Sequence, residues 1–94
     1  MNRDEMKLIA QTEIRKAREM IELCLDEGGT AAAERLAGEL VGKASMARAL
    51  ELISSDDYMA ILTYQNWVGK ECKLIRIDQL DEYLHQNYKG PNRA

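Results

Sequence analysis

The chain contains a single proline, Pro91, and it lies among the last four residues. Proline removes a backbone donor and clashes with the preceding turn, so no other residue stops a helix so firmly. Everything before Pro91 is therefore free to run in long helices, with boundaries left to glycines and capping residues. Two stretches have that character, "DEGG" at residues 26 to 29 and "SSDD" at residues 54 to 57.

Between Asp4 and Asp26, apolar residues fall at Ala10, Ile14, Ala17, Ile21 and Leu25, flanked by Met6, Ile9, Met20 and Cys24. The spacing follows the helical period and predicts an amphipathic helix. Its polar side sets Arg15 four residues before Glu19 and Arg18 four before Glu22, which reads as a solvated, self-compensated face. Gly28 or Gly29 supplies a left-handed closing residue. Thr30 caps a second pattern, with Leu36, Leu40, Ala44, Ala47 and Leu50 inward and an end near Ile53. So short a link makes the two rods antiparallel. The second rod also carries a stripe of small residues, Gly38, Gly42, Ser45 and Ala49. A helical glycine costs about 1 kcal/mol relative to alanine. The stripe is therefore expected to be a close packing seam, within the chain or across a symmetric dimer.

After "SSDD", which suits a helix start, comes "YMAILTYQNWVG", residues 58 to 69, with Tyr58, Tyr64 and Trp67. Its first half predicts a short third helix; a strand over residues 58–64 is the alternative, because aromatics and alternation also suit a sheet. "CKLIRI", residues 72 to 77, reads as a strand that pairs back onto Trp67 and Val68 through a "GKE" turn. Asp78 then caps a closing helix with Leu80, Tyr83, Leu84 and Tyr88 inward, ended by Gly90. The expected fold is thus mainly α: a long antiparallel helical hairpin, a short helix, a small wing-like β-hairpin and a C-terminal helix. Residues 1–90 form one domain and 91–94 a loose tail.

Phenylalanine is absent and Trp67 is the sole tryptophan, so a chain of 94 residues has little bulk for a core and sharing apolar surface in a homodimer is expected. The net charge of −3 is too mild to mark a polyanion binder or a disordered acidic tail. No run is long and apolar enough for a membrane span, and the start lacks the apolar region of a secretory leader, so the expected compartment is the cytoplasm. Cys24 and Cys72 lack the spacing of a zinc or dithiol motif and read as reduced, mostly buried thiols. His85, the only histidine, lies on a polar helix face without companions for a metal site. No phosphate loop and no activated nucleophile is recognisable, so no cofactor and no enzymatic activity is expected.

Residues 66 to 84, "NWVGKECKLIRIDQLDEYL", resemble the C-terminal part of small winged-helix excisionases and related phage or plasmid regulators. Residues 32 to 53, "AAERLAGELVGKASMARALELI", look like a helix-turn-helix. These resemblances imply a DNA-binding regulator that uses Lys43, Arg48, Lys70 and Lys73 on phosphate. The charge disfavours nucleic acid, and the leading expectation is a small bacterial or phage accessory protein, regulatory or adaptor in role. It would bind a protein partner or itself, with Tyr58, Tyr64 and Trp67 as anchors. An acidic mimic of nucleic acid is a third reading.

Overall fold

The computed structural model describes residues 1–87 as three helices, α1 (Arg3–Asp26), α2 (Thr30–Ala49) and α3 (Ser55–Asn87). α1 begins where the Asn2 side chain accepts a 2.8 Å hydrogen bond from the Glu5 amide, with Asp4 and Glu5 against the positive helix end. It ends in a Schellman turn: the Gly29 amide donates to the Cys24 carbonyl at 2.8 Å and the Gly28 amide to Leu25 at 3.0 Å. Gly28 has φ +76°, and a Cβ there would lie 2.9 Å from the Gln79 side chain. The left-handed backbone is what calls for glycine here, since the amide end of Gln79 is free to swing aside.

α2 starts at Thr30 without the side-chain cap expected of that residue, its N-cap being Gly29. It stops at Ala49, four residues short of the expected end. A second Schellman turn closes it, with the Leu52 amide on the Ala47 carbonyl at 2.8 Å and the Glu51 amide on Arg48 at 3.0 Å. Glu51 takes the left-handed position at φ 59°, which glycine usually fills. Arg3 helps to hold it there, donating to the Glu51 carbonyl at 2.8 Å. The turn drives Leu52 and Ile53 into the core. α3 then opens on a reciprocal cap in which Ser54 Oγ accepts from the Asp57 amide at 3.0 Å and the Asp57 carboxylate accepts from the Ser54 amide at 3.3 Å.

α2 is the middle rod: α1 and α3 each pack along it and touch one another little. The buried stripe of α2 is Ala33, Ala37, Leu40, Ala44 and Ala47, four small residues and one large one. Alanines at these positions let the flanking rods approach closely. Ile21 of α1 and Ile61, Val68 and Cys72 of α3 complete the core from either side. Across the α2–α3 seam Arg76 contacts Glu34 at 2.7 Å and Cys72 Sγ lies 3.6 Å from the Thr30 carbonyl. The guanidinium holds the Glu34 carboxyl below the usual carboxylate range.

This architecture corrects the expected one. Among the described residues there is no strand, so neither the wing from Trp67 to Ile77 nor the alternative strand over 58–64 exists. The short helix, the wing and the closing helix are one continuous helix of 33 residues. The hairpin topped by small elements thereby becomes three rods laid side by side. The physical reason is the spacing of Ile61, Val68 and Cys72, seven and four residues apart, which only a helix can line up against the alanine stripe of α2. Packing of that line overrides the strand preference of Ile75 and Ile77. Leu80, Tyr83 and Leu84, expected inward, are exposed. Tyr88, Gly90 and the tail at 91–94 lie outside the described residues.

The small-residue stripe is not a seam within the chain. Gly38, Gly42, Ser45 and Ala49 are all exposed, and a Cβ added at Gly38 or Gly42 would meet nothing within 4 Å. Gly38→Ala with Gly42→Ala is therefore expected to raise stability by about 2 kcal/mol, the sum of two helix propensities. Urea unfolding measures it, and a loss of stability would show that another surface packs there.

Candidate functional site

Because α1 and α3 both lean on α2 and barely meet, an open groove of ≈ 720 Å³ runs between them. Ile14 and Ile61 line it, with Ile53 also contributing from the α2–α3 turn. Arg15 and Arg18 form the α1 wall, and Tyr64 and Trp67 the opposite wall on α3. The aromatic rings lie 5.5 Å apart with planes tilted by 31°. The Arg18 guanidinium sits 4.8 Å above the Tyr64 ring, a cation–π contact. The Tyr64 hydroxyl donates to the Glu22 carboxylate at 3.0 Å. One end of the groove thus has a fixed shape, while Trp67 remains 42% exposed beside it.

Of the three aromatic anchors expected, the structure brings Tyr64 and Trp67 together and places Tyr58 half-buried against the core. Arg15 and Arg18 were expected to be a solvated face paired with Glu19 and Glu22. Arg15 does reach Glu19, at 3.9 Å, yet both arginines also line the groove. Their opposite wall lies more than forty residues away along the chain, so local spacing carries no sign of it. The basic density of "IRKAR", residues 14 to 18, was the available signal.

The residues expected on DNA are scattered. Lys43 borders a small hollow between α1 and α2, Arg48 is bound to the Ser55 hydroxyl at 2.7 Å, and Lys70 and Lys73 are exposed on α3. With no strand, the wing that would have carried Lys70 and Lys73 has no counterpart. Cys72 is fully buried, and that burial pushes its thiol pKa up, which suits a packing residue better than a nucleophile. His85 is exposed near the end of α3. No helix among the described residues is long and apolar enough to cross a membrane.

Tyr64 titrates unusually. Burial and, next, the Glu22 carboxylate push its phenol up to about 12. The folded state holds this proton more tightly than the unfolded chain does. Tyr64 therefore contributes its full stabilisation below the ordinary tyrosine pKa of about 10 and loses it as pH rises toward 12. Spectrophotometric titration is expected to show a late-ionising tyrosine, and Tyr64→Phe to remove that step. No family model, curated protein or solved structure matches this chain.

Proposed function

We propose that this chain acts by binding protein, as a small non-enzymatic regulator or adaptor whose α1–α3 groove accepts an amphipathic helix. The observation that carries this is the composition of the groove walls: exposed Trp67 braced by Tyr64 on one side, Arg15 and Arg18 on the other, over an isoleucine floor. Aromatic and arginine side chains supply much of the energy at protein interfaces because they bury large rigid area and reach charged groups. A helix with a leucine or isoleucine stripe flanked by acids matches both walls.

The test is fluorescence anisotropy with two labelled helical peptides that share a leucine stripe, one flanked by glutamates and the other by lysines. The acidic peptide is expected to bind and the basic one to bind at least about tenfold more weakly, since rim charges of the wrong sign suppress association. Trp67→Ala is expected to weaken the acidic peptide by about tenfold or more, as for an interface hot spot. Equal binding of both peptides, or failure of both to bind at a protein concentration where the chain is monomeric, would remove the reading.

A further inference from the structure

We infer that the helix received by the groove is the C-terminal half of α3 from a second copy of this chain, so that two copies pair through antiparallel α3 helices. The inference rests on the groove reading above and adds the identity of the occupant. Its starting point is the length of α3. The Gln79 side chain donates to the Gly28 carbonyl at 3.1 Å, which puts Gln79 level with the α1–α2 turn. Residues 80–87 run on past it, all exposed. In that overhang Leu80 is 55%, Tyr83 60% and Leu84 46% exposed, with Leu74 and Ile77 similarly uncovered just before it. Two turns of helix bearing such residues have little stability alone in water.

Part of the uncovered surface of α3 forms one line, with Leu80 and Tyr83 lying off it. Ala60, Trp67 and Leu74 recur every seven residues, with Thr63, Ile77 and Leu84 on the alternate heptad positions between and beyond them. This line has the heptad spacing of a two-stranded coiled coil and is distinct from the line of Ile61, Val68 and Cys72 that faces α2. The seam also contains Lys70 and Asp81. A parallel, in-register pair would set Lys70 on Lys70 and Asp81 on Asp81, stacking like charges. Antiparallel pairing avoids both clashes. Centred near Cys72, it lays Ile77 against Trp67 of the second copy, Leu84 against the small Ala60, Asp81 against Thr63, and the alkyl stem of Lys70 against Leu74.

The charges agree with that register. Asp78 and Glu82 are one turn apart on the flank of α3 that carries Tyr64, as helical geometry at about 100° per residue dictates. In an antiparallel pair this flank of the overhang faces α1 of the other copy. Asp78 then comes level with Arg18, which lies over Tyr64, and Glu82 level with Arg15, one turn earlier on α1. The acidic overhang thus meets the only wall of the groove that is basic. By symmetry both grooves are filled at once, and the contact closes as a dimer.

Sedimentation equilibrium of the full chain over a concentration series tests the pairing. The wild type is expected to be a dimer, and Ile77→Glu with Leu84→Glu a monomer whose far-ultraviolet circular dichroism keeps its helical content. Arg15→Glu and Glu82→Arg are each expected to weaken the dimer about fivefold, as for exposed ion pairs, and a mixture of the two variants is expected to form a heterodimer in which both contacts again pair opposite charges. A wild type that is monomeric throughout, or a dimer indifferent to the two glutamates, overturns the pairing. The monomeric glutamate variant, titrated with the acidic peptide, separates the two ideas. Peptide binding there alongside a monomeric wild type overturns the α3 pairing and leaves the groove reading intact, whereas absence of peptide binding removes the groove reading as well.

Discussion

Leu40→Ala is expected to lower the unfolding free energy by about 2–5 kcal/mol, the cost of deleting a buried leucine and leaving its cavity. Leu40 is 1% exposed and is the only large residue on the buried stripe of α2, where the other four are alanines. Its neighbours cannot collapse into the space, because both flanking rods already rest on those alanines. Domains of this size have only about 5–15 kcal/mol in total, so the variant should unfold at markedly lower urea with an unchanged slope. Leu50→Ala, at a position 52% exposed, is the control and should cost far less. Both are measured at one fixed protein concentration, since any self-association adds to the apparent stability. Equal effects at the two positions would mean that α2 is not the central rod.

The dependence on α2 also explains what could be read along the chain. α1 was legible because its apolar line, Ala10, Ile14, Ala17 and Ile21, occupies one face, and because its stop signal is a glycine that the turn requires. The end of α2 was not legible, since the left-handed residue there is Glu51, whose side chain gives no sign of that conformation. α3 was misread for a different reason. Its inner line of Ile61, Val68 and Cys72 and its outer line of Trp67, Leu74 and Ile77 lie on different faces. Overlaid in sequence, two helical stripes blur into a pattern without a clear period, and the isoleucines then tip the balance toward a strand. The aromatic wall of the groove was visible as a dense patch, whereas its arginine wall was hidden because the two walls meet only through the fold.

The continuity of α3 has a direct test in Lys70→Pro, expected to cost about 3 kcal/mol or more. Lys70 is exposed and lies near the middle of a 33-residue helix. Proline there removes the amide that bonds one turn back and drives its ring into the carbonyl of Asn66. Had "GKE" been the turn of a wing, proline at its second position would suit the turn's backbone angle and cost little. The two architectures thus predict opposite results from one substitution. Lys70→Ala isolates the loss of the side chain and should leave the helix intact or slightly firmer. A large drop in urea midpoint and helical signal for proline, with little change for alanine, is the expected outcome. Stability within about 1 kcal/mol of wild type for both would mean that α3 is broken near Gly69. The overhang would then no longer be held in line with Trp67, and the α3 seam that runs from Ala60 to Leu84 would lose its geometry.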